Sequence, residues 1–344
     1  MTHKHYNNHV MIVFMILCTT LFTLIVTGCG SSASNSSSSQ PNTAPTTAAT
    51  NPTATPSTPV SNPVGSENFM IISEKTVSSD GVNSGLSAYQ LITNAFGNGS
   101  IESPDLYRGN HNDVVHIYED TDEIQGDHFV FLAHRDLDKD RDKNSIDRQR
   151  NEIKTFDPSH ASLKGFLGDS VQYQWRFKVT SDMQLSNNFS HFFQIKAKNA
   201  SEDNANGNDS QPIVTLSGAE KSSSGNELQV RYSSGINPTT GQVEGEYLAR
   251  TPWSLITDEW VEVLVQVTYA EAGALSLTLT RLRDQAVILD IDKNNIDMWR
   301  GNDSSDFARP KWGIYRSISD IESLRAEEEQ VRFADFTIRK GTKP

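Results

Sequence analysis

Residues 260–269 read WVEVLVQVTY, with valine at every second position from Val261 to Val267. A period of two is typical of a β-strand with one buried face, because successive side chains point to opposite sides. Similar alternation recurs at 128–133, 171–179, 189–197, 274–282 and 331–338. Between these segments lie clusters of Gly, Asn, Asp and Ser, such as 199–210 and 222–226, which predict turns. Many short strands with few helical patterns predict an all-β fold, a two-sheet sandwich or jelly roll.

The N-terminal segment has the pattern of an export signal. An apolar run over 10–26 ends at Thr27, Gly28 and Cys29. It is shorter than the ~20 apolar residues that a membrane span needs. The ending resembles a bacterial lipobox, which implies removal of residues 1–28 and lipidation of Cys29; an ordinary secretory signal is the alternative. Cys18 would leave with the signal, so thiol chemistry and disulfides are not expected in the folded part.

The rest of the chain divides into a tether and one domain. Residues 29–65 consist almost entirely of Ser, Thr, Asn, Ala and Pro, and predict a disordered tether. Residues 66–344 show no further break in composition, which predicts a single β domain and, by default, a monomer. A Glu-rich stretch at 318–330 predicts a short helix or turn before the last strand. The lipid would hold this domain at the bacterial cell envelope, on the outer membrane or cell surface.

The net charge limits the possible partners. The chain carries a formal charge of −13 at pH 7. This argues against nucleic acid and against a polybasic membrane patch. If the substrate is a polyanion, its groove must therefore be locally basic.

Three strand-like segments, at 148–154, 191–196 and 311–315, concentrate polar groups on one face. Counting every second residue, these faces carry Arg148, Arg150, Glu152 and Lys154 in the first, Gln194 and Lys196 in the second, and Lys311 and Tyr315 in the third. Each set alone could be a solvated strand face with cross-strand ion pairs. Together they supply the groups needed to bind a carboxylate and move a proton beside it.

These segments carry a family resemblance. RNEIK at 150–154 resembles the RSELR motif of jelly-roll alginate lyases of family seven, QIK at 194–196 resembles their QIH, and KWGIY at 311–315 resembles their KAGxY. The longer stretches 147–154 and 309–317 also resemble glucuronan lyases and heparin-lyase-I-like proteins. The resemblance implies a concanavalin A-like β-jelly roll with a concave groove, and a polysaccharide lyase with no required cofactor. Lys196 replaces the alginate-lyase histidine and Ser317 an often-present glutamine, which leaves the choice among uronate polymers open.

The expected reaction is β-elimination on an acidic, uronic-acid-containing polysaccharide. The C5 proton becomes removable when the adjacent carboxylate is neutralised. The resemblance implies that Arg150, Gln194 and Lys196 neutralise it, and that Tyr315 takes the proton and then protonates the leaving oxygen.

Other groups could share these tasks. Lys196 or a histidine, either His134 or His191, is an alternative base, although strand alternation predicts that His191 lies opposite Gln194. Further candidates for substrate binding are Arg148, Glu152, Lys154, Lys311, Arg316, Trp299, Arg300 and His134. Within this set, Glu152 could orient Arg150, and Trp299 with Arg300 could form a sugar-stacking subsite unless they are buried.

The acidic run at 136–142 could bind calcium weakly through Asp138, Asp140 and Asp142. It lacks the glycine of an EF-hand loop and interleaves Lys and Arg, which is also typical of a solvated charged loop. No other metal site is predicted.

Two other functional classes fit the same fold. A non-catalytic carbohydrate-binding surface lipoprotein would use stacking aromatics but has no use for a tyrosine among cations. A retaining glycoside hydrolase needs two carboxylates flanking the bond, and no Glu-x-Asp-x-x-Glu strand is present.

Overall fold

The computed structural model describes residues 69–198, 209–221, 225–237 and 239–342. The predicted signal segment, Cys29, the tether at 29–65 and most of the turn clusters at 199–210 and 222–226 lie outside the described residues.

The described chain is built mainly from β-strands. The fifteen strands are β1 (Met70–Val77), β2 (Ile101–Glu102), β3 (Ile117–Asp122), β4 (Gly126–Ala133), β5 (Arg148–Lys154), β6 (Ser170–Val179), β7 (Ser190–Lys198), β8 (Pro212–Ala219), β9 (Glu227–Ile236), β10 (Val243–Pro252), β11 (Val261–Thr268), β12 (Gly273–Arg281), β13 (Ala286–Ile296), β14 (Phe307–Ser317) and β15 (Glu329–Thr342). One α-helix, α1 (Ala88–Phe96), and the short 3₁₀ turns Pro104–Leu106, Ala161–Leu163, Trp253–Leu255 and Ile321–Ser323 complete the described elements. The six strands predicted from alternation are confirmed. The helix or turn predicted at 318–330 corresponds to the 3₁₀ turn Ile321–Ser323.

The strands form two antiparallel sheets. In the eight-stranded sheet the order is β13-β12-β11-β6-β15-β4-β3, and β1 also pairs with β15. In the seven-stranded sheet the order is β10-β9-β8-β7-β14-β5-β2. The chain crosses between the sheets repeatedly, since β4 and β6 belong to one sheet while β5 and β7 belong to the other. This two-sheet arrangement confirms the predicted jelly roll.

The core lies between the two sheets. The alternating valines of β11 are all buried, and Val263, Val265 and Val267 align in register with leucines of β12. From the other sheet, Phe193 stacks on Trp175 at a ring distance of 4.4 Å. Each fully buried large apolar side chain contributes about 1.5–3 kcal/mol. The alternation therefore fixes which face of each strand points inward, and leaves the opposite face of the seven-stranded sheet for the site.

Helix α1 covers one part of this core. Its N-terminus is a capping box in which Ser87 and Gln90 satisfy each other's backbone N–H groups. Ala88, Ile92 and Phe96 are buried, and the ring of Phe96 stacks on Trp312. The sequence analysis did not predict this helix. Within the described residues, no helix is long and apolar enough to span a membrane.

Candidate active site

The three polar segments meet on neighbouring strands. Strand β14 lies between β5 and β7, so the residues of the three motifs share one sheet. In the strand register Tyr315 pairs with Arg150 on β5 and with His191 on β7. Lys311 pairs with Gln194 on β7. The sheet therefore brings together side chains that are about 165 residues apart in sequence.

A buried ionic network lies beneath this face. Glu102 on β2 accepts hydrogen bonds from Nζ of Lys154 at 2.6 Å and Nζ of Lys311 at 2.7 Å. Glu152 contacts Lys311 Nζ at 2.6 Å and accepts a 2.5 Å hydrogen bond from Nε2 of Gln194. Burial opposes ionisation of Glu102, but the cations of Lys311, Arg150 and Lys154 hold its pKa well below the usual range. The floor of the site therefore consists of Glu102, Glu152, Lys154, Lys311 and Arg150. Lys154, Lys311 and Glu152 are occupied by these ion pairs and are not available to a substrate.

Arg150 holds Tyr315 from below. Its Nε donates to Asp140 Oδ1 at 2.7 Å, and its Nη1 donates to Glu152. The guanidinium carbon lies 3.7 Å from the centre of the Tyr315 ring. Because these partners occupy the guanidinium, Arg150 is not free to bind a substrate carboxylate as a bidentate fork, in contrast to the sequence expectation.

The hydroxyl of Tyr315 points towards an open cleft. Arg148 donates from Nη1 to this hydroxyl at 3.0 Å, and its remaining donors bind Asp147. Polar or ionisable side chains line this cleft in the described chain, and they include Arg148, His191, Gln194, Lys196, Arg231 and Tyr315. None of the described lining residues is Asp or Glu. The groove is therefore locally basic, as a polyanionic substrate requires despite the acidic whole chain.

Lys196 is the most perturbed cation of the cleft. Burial, reinforced by the positive charges of Lys311, Arg150 and Arg309, lowers its pKa to about 7, while Glu152 opposes the shift. Lys196 makes no ion pair or hydrogen bond within the part of the chain that the structure describes. Its ammonium group is thus available to a carboxylate, and its charge changes near neutral pH.

His191 also lines the cleft, which corrects the sequence expectation. A β-bulge between His191 and Phe193, where β7 pairs with β8, breaks the period of two on β7, and the register of β7 with β14 also shifts between Trp312 and Tyr315. The imidazole therefore lies on the same face as Gln194, with Nδ1 2.7 Å from Ser217 Oγ and its ring centre 5.8 Å from that of Tyr315. Burial lowers the pKa of His191 to about 3, with further lowering by nearby Arg150 and Arg231. The ring is consequently neutral at pH 7.

Three predicted substrate-binding residues lie elsewhere. Arg316 follows Tyr315 on β14 and so points into the core, where its Nε donates to Gln149 Oε1 at 2.6 Å and its Nη1 to Glu329. Trp299 belongs to the hydrophobic core and is 8% exposed. Arg300 is buried and donates to backbone oxygens of Trp299 and Ser233. The stacking subsite proposed for Trp299 and Arg300 is therefore not formed.

The predicted calcium loop does not converge on a single point either. Asp138 faces a group of histidines that includes His134, Asp140 pairs with Arg150 and Arg141, and Asp142 is exposed. His134 does not line the cleft, and its Nε2 lies 2.9 Å from Glu328 Oε2. These contacts correct two predictions: the three aspartates do not form a calcium loop, and His134 does not bind substrate in the cleft.

Sequence reasoning missed Glu102 and the placement of Arg231. Glu102 lies on a strand of only two residues, which has no readable alternation. Arg231 is one exposed residue among the buried ones of β9. Only the pairing of distant strands brings either one to the site.

Solved structures of polysaccharide lyases are similar to this chain at low sequence identity. An alginate lyase, Aly36B, in complex with alginate trisaccharide aligns with a TM-score of 0.50 and 11% identity, over 79% of this chain and 100% of that one. The endo-β-1,4-glucuronan lyase of the fungus Trichoderma reesei aligns at 0.46 and 14%, over 71% and 94%. The PL-14 alginate lyase of Aplysia kurodai aligns at 0.49 and 13%, over 78% and 98%.

Sequence comparison defines the family. No curated protein sequence matches this chain. The family described as polysaccharide lyase matches residues 99–335, a span that contains β2, β5, β7 and β14 and hence the floor and cleft. On this match over more than half of its length, the chain belongs to the polysaccharide lyase family.

Proposed function

We propose that the cleft binds a uronate residue of an acidic polysaccharide and that Tyr315 transfers the proton in its β-elimination. The observation that carries this assignment is the position of the Tyr315 hydroxyl. It lies in a cleft lined by cations, within hydrogen-bond distance of Arg148, and the tyrosine ring lies over the guanidinium of Arg150.

Lys196 and Gln194 are the groups proposed to bind the uronate carboxylate. Removal of the C5 proton places negative charge on that carboxylate in the transition state, and preorganised donors stabilise it there. Lys196 supplies an unpaired ammonium group, and Gln194 is held in place by Glu152. Arg231 on β9 also lines the cleft and adds a further cation. Arg150 acts through Tyr315 and is a positioning residue in this scheme.

Tyr315 is proposed as base and then as acid. Its ring lies over the guanidinium of Arg150, and its hydroxyl accepts a hydrogen bond from Arg148. The phenolate would take the C5 proton, and the resulting phenol would give it to the departing glycosidic oxygen. His191 is the second group in the cleft that could accept a proton, since its ring is neutral. Its low pKa makes it the weaker base.

The charge of the cleft separates this proposal from its competitors. A retaining hydrolase needs two carboxylates about 5–5.5 Å apart across the bond, and no acidic side chain lines the cleft among the described residues. A carbohydrate-binding module would not require a tyrosine whose hydroxyl contacts one guanidinium group and whose ring contacts another. The basic lining instead fits a polymer with a carboxylate on each reacting sugar.

The substrate is proposed to be a glucuronate or alginate-type polymer. The solved relatives include a glucuronan lyase and alginate lyases. Arg309 pairs in register with Lys196, and its Nε and Nη1 are buried without a hydrogen-bond partner in the described chain. A carboxylate of a neighbouring sugar could satisfy these donors. We also propose that the domain is lipid-anchored through Cys29 at the cell envelope, where such polymers are met.

The test is the ultraviolet absorbance of the 4,5-unsaturated uronate that β-elimination forms. The protein would be assayed on glucuronan, alginate, heparin-type and pectic polymers, beside Tyr315→Phe and the control Tyr118→Phe, which removes a hydroxyl on β3 of the other sheet. We expect product from wild type and control, and loss of at least about 100-fold in Tyr315→Phe, the usual size of a general acid–base contribution. Binding without absorbance on every polymer would favour the carbohydrate-binding alternative, and normal turnover by Tyr315→Phe would remove Tyr315 from the mechanism.

A further inference from the structure

We propose that His111, His116, His134 and Asp138 form a structural zinc site outside the cleft. Asp138 Oδ1 lies 2.9 Å from His111 Nδ1 and 2.9 Å from His116 Nε2, and Asp138 Oδ2 lies 3.5 Å from His134 Nδ1. The four ligand atoms all lie within 4.8 Å of one another. A tetrahedral zinc ion with bonds of about 2.0–2.1 Å places its ligand atoms about 3.3 Å apart. The side chains are therefore already gathered at nearly the spacing that zinc requires.

The outer nitrogen of each histidine faces an oxygen. His116 Nδ1 lies 2.7 Å from the carbonyl oxygen of Val114. His134 Nε2 lies 2.9 Å from Glu328 Oε2, and His111 Nε2 lies 3.5 Å from Asp113 Oδ1. Histidines that bind metals nearly always donate the other ring N–H to such an oxygen, which fixes the tautomer. The arrangement leaves the lone pair of each inner nitrogen directed at the centre of the cluster.

Hydrogen bonding alone does not satisfy this cluster. His116 faces an oxygen acceptor at both ring nitrogens, and His134 Nδ1 is buried with no hydrogen-bond partner in the described chain. If the outer nitrogens donate to these oxygens, protons on all three inner nitrogens as well would pack three imidazolium ions edge to face, with ring centres 4.7–5.1 Å apart, around one carboxylate. One divalent cation satisfies three neutral imidazoles and the carboxylate together.

The donor set selects the kind of metal. Three nitrogens and one carboxylate suit zinc and its first-row neighbours, whereas calcium takes six to eight oxygens. His111, His116 and Asp138 are each less than a tenth exposed. Four protein ligands in a buried position describe a closed structural site, since a catalytic zinc keeps a position for water or substrate.

The site would tie together three segments next to the cleft floor. Its ligands come from the stretch before β3, from the residue after β4 and from the loop before β5. Gln149 Nε2 on β5 donates to the carbonyl oxygen of His134 at 3.1 Å. Asp140, two residues beyond the ligand Asp138, is the partner of Arg150. Bound zinc would therefore hold the loop that positions Arg150 beneath Tyr315.

The test is the metal content and thermal stability of the untagged protein. We expect about one zinc per chain by elemental mass spectrometry, and a midpoint of unfolding about 5 °C or more higher with zinc at 100-fold excess over its Kd than with chelator. Cobalt(II) bound in place of zinc should give the strong visible bands of a tetrahedral ion. These measurements do not depend on enzymatic activity.

Variants assign the metal to these residues. His111→Gln and Asp138→Asn should lose the zinc and its stabilising effect, while His160→Gln, which changes an exposed histidine outside the cluster, should keep both. If the first two variants fold poorly, chelation and reloading of the wild type still decide the matter. The proposal is overturned if zinc neither binds nor stabilises the wild type, or if His111→Gln retains zinc as well as His160→Gln does.

Discussion

Replacing Lys196 with arginine should remove a loss of activity that sets in near neutral pH. The pKa of Lys196 is lowered to about 7, first by burial and then by the charges of Lys311, Arg150 and Arg309, against the opposing effect of Glu152. A lysine with a lowered pKa is charged below that value and neutral above it. Its ammonium group, proposed to neutralise the uronate carboxylate, is therefore lost as pH rises through 7.

The expected magnitude follows from this pKa. With a pKa of about 7, about 90% of Lys196 is charged at pH 6 and about 10% at pH 8. The second-order rate constant kcat/KM reports ionisations of the free enzyme. We therefore expect the contribution of Lys196 to kcat/KM to fall about tenfold between these values in the wild type. Arginine stays protonated over this range, so Lys196→Arg should not show the fall.

The assay is the initial rate of unsaturated uronate formation at low polymer concentration across pH 5.5 to 8.5, roughly centred on the titration of Lys196. The informative quantity is the ratio of variant to wild-type kcat/KM at each pH, because the effects of groups that both proteins share then cancel. Lys198→Arg, the same exchange two residues along β7, is the control and should follow the wild type. A ratio that stays constant with pH would refute the role assigned to the ammonium group.

Two further predictions concern the floor of the cleft. Glu102→Gln keeps the shape of a side chain that contacts Lys154 and Lys311 but removes its charge. We expect the free energy of unfolding to fall by about 3–5 kcal/mol and the midpoint of thermal unfolding to be about 5–8 °C lower at pH 7. Because the pKa of Glu102 is lowered, its contribution to stability is present above the usual pKa range of glutamate and disappears in acid. Calorimetry should therefore show the unfolding midpoints of the two proteins converging in acid, and equal midpoints at pH 7 would contradict this account. Gly313→Ala should lower both kcat and the midpoint of thermal unfolding. Gly313 has φ +139°, and an added Cβ would lie 2.1 Å from the carbonyl oxygen of Asn151, so the methyl group would push β14 away from β5. Gly168→Ala has a positive φ in open space and is the matched control, so equal effects in the two variants would argue against the steric reason.

The strands could be predicted because their signal is local. Each strand in the core repeats apolar residues at every second position, and burial of that row decides the face, as in β11. The motif residues of β5 and β14 follow the same rule, which also places Arg316 on the core side, opposite Tyr315. That separation could have been read from the sequence.

The residues that were misplaced depend on structure that alternation does not encode. The bulge in β7 turns His191 into the cleft, and a bulge leaves no fixed sequence mark. Glu102 reaches Lys311 across 209 sequence positions, through pairing of β2 and β14 with β5. Trp299 and Arg300 have the composition of a sugar subsite but are buried. Their exposure depends on packing between distant segments.

The histidine cluster could have been noticed from the sequence in part. His111 and His116 stand five residues apart, and His134 and Asp138 stand four apart, so each pair is a recognisable spacing. The meeting of the two pairs requires the chain to return along β3 and β4. Asp138 belongs to the acidic run at 136–142, but its carboxylate faces the histidines.

The ionic floor also limits how this enzyme can change its substrate during evolution. Glu102, Glu152, Lys311 and Arg150 each contact at least two other charged members, so replacing one of them leaves a buried charge without its partner. Lys196 on β7 and Arg231 on β9 are outside these ion pairs and can be exchanged without that penalty. We therefore expect related lyases to keep the floor and to diverge along strands β7 to β9, the part of the cleft that carries Lys196 and Arg231. New polymer preferences would arise there, while the residues proposed to transfer the proton are inherited unchanged.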